Sequence, residues 1–474
     1  MKIRARKGLT FDDVLLVPKY SPIRSRRDVA TNTLLVPNFS LHIPLISSNM
    51  DTVTESEMAI AMAHAGGIGI IHRFMTIERM VQEVRRVKRA ENLVIENPVT
   101  ILPDVSIAEA RKVMDEQNIG GLLVLDHDQR LVGILTTRDV LFEDDATRLV
   151  HELMTTEVIT APPNTTLQEA RGICHRAKVE KLPLVNQAGQ VTGLITTKDI
   201  LKRIQHPNAT KDEKGRLRVG VAIGVKRGER ERAAAVVEAG ADVLVLDIAH
   251  GHSTNALDMM AFLKREFPKV PLVAGNVATR DGTKALIDAG ADAIKVGVGP
   301  GSICITRVIT GFGMPQITAI MDSYEEAHKA GIPVIADGGI RTSGDITKAL
   351  AAGAHTVMIG SLFAGTRESP GRIIQKKGRR YKVTRGMASL GATMGRTDKQ
   401  DEQDWNSVVP EGVEAMVPYR GSIDGLLTQL VGGVRSGLSY AGARSIKELH
   451  EHAEFIEMSG AGLNESKPHD VELM

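Results

Sequence analysis

From residue 217 onward, short apolar runs alternate with amphipathic stretches at intervals of roughly 20 to 30 residues, a strand-then-helix rhythm. The runs are VLVLDIAHG (243–251), PLVAGNVAT (271–279), AIKVGVGPG (293–301), PVIADGGIRT (333–342) and TVMIGSLFAG (356–365). Between them lie RERAAAVVEAG, TRDGTKALIDAG and SGDITKALAAG, each closing on Ala-Gly, where glycine can take the left-handed cap that stops a helix. Strands apolar at nearly every position, each followed by a helix, predict a parallel sheet covered on both faces. The segment IPLISSNMDTVTESEMAIAMAHAGGIGIIH (43–72) repeats this strand–helix–strand grammar. Polar residues and glycines gather at the C-terminal ends of the runs: Asp247, Asn276, Gly299, Asp337 and Gly360. A (β/α)8 barrel puts its chemistry at those ends. A doubly wound open sheet is the competing α/β arrangement, but it concentrates its site at one switch point. The expected fold is therefore an α/β, TIM-type barrel.

The rhythm breaks between residues 95 and 205, where an internal repeat appears. NPVTILPDVSIAEAR (97–111) returns as TEVITAPPNTTLQEAR (156–171), and LVGILTTRDV (131–140) as VTGLITTKDI (191–200). Each copy predicts a helix from Ser106 or Thr166, two short strands turning at HDQ or QAG, and a second helix after Thr-Thr. One copy alone would be marginal, whereas two can share a core. The repeat resembles a tandem CBS pair, a module known for binding adenine or guanine nucleotides between its halves. That resemblance implies ribose contacts for Asp139 and Asp199. The expected organisation is barrel (1–94), CBS pair (95–150 and 151–205) and barrel resumed (206–474), with the pair inserted in a barrel loop.

Composition narrows the classes. The net charge of +2 offers no general argument for nucleic acid or an anionic membrane, and aromatics at 3% supply few base-stacking platforms. Two cysteines, Cys174 and Cys304, cannot build a disulfide scaffold and fit a reducing compartment. The start, MKIRARKGLTFDD, has no apolar stretch behind its basic residues, and no run of about 18 apolar residues occurs. A soluble, cytoplasmic protein is expected, with no membrane and no nucleic-acid partner.

Glycine is in excess, at 45 of 474 residues, and it clusters where chemistry is expected. Cys304 stands in VGVGPGSICITR (296–307), beyond a strand and a Gly-Pro-Gly turn, with Ser302, Thr306 and Arg307 beside it. A thiol on such a loop is a candidate nucleophile once its thiolate is favoured. Cys174 instead reads as a small buried apolar residue. ADGGIRTSGD (336–345) and IGSLFAG (359–365) are glycine turns entering helices and suit a phosphate. Asp337 is placed to hold a ribose hydroxyl. His250 and His252 read as loop structure, because no His, Cys and carboxylate cluster has metal spacing.

LTFDDVLLVP (9–18), SSNMDTVTE (47–55), DIAHGHS (247–253), AGNVAT (274–279), GPGSICITR (299–307), ADGGIR (336–341), IGSLFAGT (359–366), VPEGVE (409–414) and QLVGGVRSGLSYAGA (429–443) together resemble the IMP dehydrogenase and GMP reductase family over nearly the whole chain. The resemblance implies that Cys304 adds to C2 of IMP, that hydride passes to NAD⁺, and that water hydrolyses the thioimidate to XMP. Thr306 is the second catalytic candidate beside Cys304. Ser302, Asp337, Gly338, Gly339, Gly360 and Ser361 would hold the ribose phosphate, with Arg385, Gly386, Met387 and Glu411 near the base. Asp247, Asn276, Gly297, Val298 and Gly299 would face NAD. K⁺ would sit on carbonyls of Gly299, Gly301 and Cys304, with Glu465, Ser466 and Lys467 from a neighbouring subunit of a homotetramer or octamer.

The chain departs from that pattern in the flap of residues 386–412. The dehydrogenases carry an Arg-Tyr pair there that activates water, whereas GMASLGATMGRTDKQDEQDWNSVVPEG has only Arg396 as its arginine. Thr384 stands where a tyrosine is expected and Lys467 where a histidine is expected. The replacement candidates for activating water are Thr306 with Glu411, or a flap side chain such as Lys399 or Asp401. GMP reductase, which runs GMP and NADPH to IMP and ammonia, needs no such step and is the alternative. Most reductases lack the VPEG segment and the ESKPHD tail (465–470) kept here. A nucleotide-sensing protein with little turnover is a third reading, opposed by the intact Cys304 loop.

Overall fold

The computed structural model describes residues 3–91, 94–117, 119–394, 409–468 and 471. Eight parallel strands close into a barrel, as the apolar runs predict: β1 (Leu45–Ser47), β2 (Ile68–Ile71), β3 (Gly220–Ile223), β4 (Val243–Asp247), β5 (Leu272–Val277), β6 (Ala293–Val296), β7 (Val334–Asp337) and β8 (Thr356–Ile359). The helices that follow them in turn are α1 (Ser56–His64), α2 (Ile77–Ala90), α3 (Glu229–Glu238), α4 (Thr254–Glu266), α5 (Arg280–Asp288), α6 (Gln316–Lys329), α7 (Ser343–Ala351) and α8 (Ile423–Tyr440).

The strands are apolar throughout because both their faces are buried. On β4, Val243 and Val245 join the barrel's inner cluster, while Leu244 and Leu246 join the outer cluster beneath the helices. Leu35, Val36, Phe39 and Leu41, from the hairpin Thr33–Val36/Phe39–Leu41, belong to the inner cluster too and plug the barrel. Between β8 and α8 a three-stranded antiparallel sheet is added, Ile373–Lys376, Arg379–Arg385 and Glu414–Pro418. The apolar-run pattern did not single out this sheet or β3.

The chain divides into two compact units, residues 1–90, 208–212 and 217–474 against residues 91–207 and 213–216. In the second unit, helix Ile107–Gln117 precedes the antiparallel strands Gly121–Leu125 and Leu131–Thr136, and helix Leu167–Ala177 precedes Lys181–Val185 and Val191–Thr196. The two copies fill their cores from equivalent positions. Ala110, Leu122, Leu135 and Val140 in one answer to Ala170, Leu182, Ile195 and Ile200 in the other, and Cys174 takes the place of Met114. Cys174 is buried, and burial pushes its thiol up from the ordinary value. Asp139 Oδ2 accepts from the Thr136 amide at 2.6 Å and hydroxyl at 2.7 Å. Asp199 likewise accepts from the Thr196 hydroxyl. One oxygen of each carboxylate is therefore spent capping its helix. Among the described residues no helix is long and apolar enough to cross a membrane.

Candidate active site

The loop after β6 is held by two neighbours at the C-terminal mouth of the barrel. The segment before Glu414 pairs with it: the Ile305 amide donates to the Glu411 carbonyl at 2.9 Å and the Val413 amide to the Ile303 carbonyl at 3.0 Å. At its base a Cβ on Gly297 would lie 2.0 Å from the Asp337 carbonyl oxygen, so β6 and β7 approach there only because the residue is glycine. This pairing brings three side chains distant in sequence into a row. The half-buried Cys304 thiol donates to Thr306 Oγ1 at 3.2 Å, and that hydroxyl donates to Glu411 Oε2 at 2.8 Å.

A cavity of about 420 Å³ opens beside this row. Cys304, Thr306, Ser302, Asp337, Gly338, Gly339, Gly360, Ser361 and Met387 line it, as do Asp247, Asn276, Gly297, Val298, Gly299 and Gly301. A second cavity of about 230 Å³ shares Ser302, Gly339 and Ser361 with it and adds Arg307, Arg341 and Asp12. There the Arg341 guanidinium bonds Asp12 and holds its carboxyl below the usual range.

Three expected residues stand apart from the lining. Arg385 turns to Asp51, donating from Nε at 2.7 Å, and to the Gly391 carbonyl at 3.2 Å. Gly386 donates its amide to the Val413 carbonyl at 3.0 Å and packs against Gly412. Glu411 reaches the cavity through Thr306. Thr384 is buried, its hydroxyl 3.4 Å from that of Thr52. Glu465, Ser466 and Lys467 are exposed at the end of helix Gly460–Glu465, with Ser466 Oγ donating to the Gly462 carbonyl at 2.8 Å. Arg396, Lys399 and Asp401 lie outside the described residues. His250 and His252 meet edge-on at 6.3 Å, and among the described residues no cluster could hold a metal through His, Cys, Asp or Glu.

Three residues that the motif reading missed organise the site. Lys295, the largest fully buried side chain, donates to Asp337 Oδ2 at 2.7 Å and to Asn276 Oδ1. Asn276 Nδ2 in turn donates to Asp337 Oδ2 at 2.9 Å and to the Gly297 carbonyl at 2.8 Å. Gln316 Nε2 bridges the Val296 and Asp337 carbonyls at 3.0 and 3.1 Å. Arg73 Nε donates to Asp247 Oδ2 at 3.3 Å. A polar break inside an apolar run was the one available signal for Lys295.

Residues 8–469 match the IMP dehydrogenase / GMP reductase domain. This chain belongs to that family. Inosine-5′-monophosphate dehydrogenase from Nitrosopumilus maritimus (strain SCM1) is 55% identical, over 99% of each chain. The protein of that name from Aquifex aeolicus (strain VF5) is 53% identical, over 99% of this chain and 97% of its own. Among solved structures, a cysteine-to-alanine variant of GMP reductase from Trypanosoma brucei in complex with guanosine 5′-monophosphate superposes with a TM-score of 0.91 at 45% identity, over 98% of each chain. The Trypanosoma brucei enzyme in complex with guanosine 5′-triphosphate gives 0.81 at 41%, over 96% of this chain and 98% of that one. A reductase is thus similar over nearly the full length, insert and tail included, so overall architecture does not separate the family's two reactions.

Proposed function

We propose that the chain oxidises IMP to XMP with NAD⁺ in guanine nucleotide synthesis. The observation that carries this is the 53–55% identity to inosine-5′-monophosphate dehydrogenases over nearly the full length; the Cys304–Thr306–Glu411 row supplies a proton path that needs no Arg-Tyr pair. Cys304 passes its proton through Thr306 to Glu411 and adds as thiolate to C2 of the purine. That carbon becomes tetrahedral and can release its hydride. Glu411 gives the thiol's proton up to solvent before hydrolysis; water then attacks the remaining thioimidate and passes one proton along the same path to Glu411, C2 keeps the oxygen, and Cys304 is released as a leaving thiolate. Ser302, Gly339 and Ser361 hold the phosphate where the two cavities meet, with Gly338 and Gly360 in the same turns, and Asp337 holds the ribose. Met387 faces the base.

NAD⁺, when bound, accepts the hydride. Its site fits the other half of the larger cavity, where Asp247 offers a carboxylate to a ribose and Phe74, Val225, Ile248 and Ala249 form an apolar wall. Asn276, Gly297, Val298 and Gly299 line the same cavity. Carbonyls of Gly299, Gly301 and Cys304 are hard neutral donors, suited to K⁺ rather than a transition metal. Glu465, Ser466 and Lys467 of a second copy complete that set in a homotetramer or octamer. The paired repeats take adenine or guanine nucleotides.

The same row also serves GMP reduction, and the sequence of residues 386–412 together with the Trypanosoma brucei likeness keeps that as the second reading. Absorbance at 340 nm with K⁺ decides: a rise with IMP and NAD⁺, with XMP formed, is expected. A fall with GMP and NADPH, and no rise with IMP and NAD⁺, makes the enzyme a reductase. A 6-chloropurine ribonucleotide should label Cys304, and an unlabelled thiol would overturn both covalent readings.

A further inference from the structure

Asp51 lies in SSNMDTVTE (47–55), the loop that leaves β1, and its side chain is only 6% exposed. It does not line the substrate cavity, although Ser48, Asn49 and Met50 of the same loop do. The loop is a stiff mount. The Val53 and Thr54 amides both donate to the Met50 carbonyl, at 2.9 and 3.0 Å, and Thr54 Oγ1 donates to the Ser48 carbonyl at 2.6 Å. From this mount Asp51 Oδ2 accepts from Arg385 Nε at 2.7 Å and pairs with Arg385 Nη2 as well. Arg385 Nη1 donates to the Gly391 carbonyl at 3.2 Å, and the Arg385 amide to Thr52 Oγ1 at 3.4 Å. The Asp51 amide in turn donates to Met387 Sδ at 3.4 Å. A buried carboxylate is costly without its cation, so the pair fixes where the strand Arg379–Arg385 ends.

At that strand end begins the turn on which Glu411 rests. The Ser389 amide donates to the Gly386 carbonyl at 2.9 Å, the Glu411 amide to the Ala388 carbonyl at 3.0 Å, and the Gly386 amide to the Val413 carbonyl at 3.0 Å. Glu411 is therefore held through its amide by this turn and through its carbonyl by Ile305. Those two anchors set where its carboxylate meets Thr306. A shift of the turn carries Glu411 Oε2 away from Thr306 and Met387 away from its place in the cavity wall. A misplacement of about 1 Å in such a group can cost about 100-fold in rate.

We propose that Asp51 and Arg385 are positioning residues of the reaction, an ion pair that fixes the turn 386–389 and through it Glu411 and Met387. The inference rests on the reading of the Cys304–Thr306–Glu411 row as the proton path. The variants are Asp51→Asn, Arg385→Gln, the two combined, and Arg385→Lys, each in the full chain with K⁺ and assayed at 340 nm in the direction the wild type runs. Active sites are counted as the Cys304 labelled once the 6-chloropurine ribonucleotide has reacted to completion, so misfolded protein does not enter the rate. Asp51→Asn and Arg385→Gln should each lower kcat per labelled site about tenfold or more and raise KM for the nucleotide. KM for the dinucleotide, whose expected contacts Asp247 and Asn276 come from β4 and β5, should stay within about twofold. The double variant should be no slower than the slower single one, because both changes remove one interaction. Arg385→Lys should keep at least about a third of kcat, since both contacts to Asp51 fall on Oδ2, which one ammonium can serve. A merely structural pair would lower the melting temperature and the labelled fraction but leave kcat per labelled site unchanged. That result, or single losses that multiply in the double variant, would overturn the proposal. Should a single variant fail to fold, the double variant, which strands no charge, still decides by the same rate. A wild type that turns over neither substrate pair and takes no label overturns the reading of the row, and this pair's role with it; a working wild type with unaffected variants overturns the pair's role alone.

Discussion

Glu411 sits 107 residues from Cys304 in the chain, and its importance comes from a hydroxyl between them. Glu411→Gln keeps the shape and removes the proton acceptor, while Thr306→Val cuts the relay. Each should lower steady-state turnover by about 100-fold or more, the usual worth of a positioned acid–base group, and should slow labelling of Cys304 by the 6-chloropurine ribonucleotide too, since the thiol gives its proton along the same path. Stopped-flow traces should then show hydride transfer and product release slowed together. Lys295 is a positioning residue of another kind. With Asp337 Oδ2 held by Lys295 and Asn276, the carboxylate has one orientation to offer the cavity. Lys295→Met should raise KM for the nucleotide at least tenfold and lower stability by about 1–2 kcal/mol, since the half-buried Asp337 loses one of its two partners on Oδ2. Equilibrium unfolding checks the second figure, and initial rates the first. Cys304 was legible from its glycine-rich setting; Lys295 was not, because a lysine in an apolar run gives no hint of what it faces across a closed sheet.

At the scale of elements, loops meet only where glycine lets strands close in, as at Gly297, and the same logic holds histidines together at the other end of the barrel. His355, just before β8, lies 5.1 Å ring to ring from His450 on helix Ile446–His452, and Tyr324 of α6 lies 5.3 Å from His450 and 5.1 Å from His328. Burial, helped by the neighbouring His450 and His328, lowers His355 to about 4, and burial lowers His450 too. Between about pH 6.5 and pH 4 the unfolded chain therefore binds more protons than the folded one. Stability intact above pH 6.5 is lost as pH falls through that window, by about 3 kcal/mol for His355 when complete. Thermal melts from pH 7.5 to 4.5 should fall more steeply for wild type than for His355→Gln; parallel curves would contradict this account.

At the scale of the whole molecule, the barrel owns all eight of its strands, and the insert leaves and returns between α2 and β3. Lys88 near the exit pairs with Asp212 near the return at 3.0 Å, so the two ends lie close. Replacing residues 91–207 with a short Gly/Ser linker should leave a folded barrel whose turnover stays within about threefold, checked by circular dichroism and the 340 nm assay. The barrel, the repeat and the place of Cys304 at the barrel mouth were all readable from the chain, because apolar period, helix stops and glycine turns are local properties that burial on both faces makes unambiguous. Even the repeat's core could be read off, since equal spacing places Ala110 and Ala170, or Leu122 and Leu182, in equivalent surroundings. What folding added is everything that depends on which strand ends meet. The Cys304–Thr306–Glu411 row and the Lys295–Asp337 pair each join residues far apart in sequence, and no periodicity along a chain encodes a distance across a closed barrel.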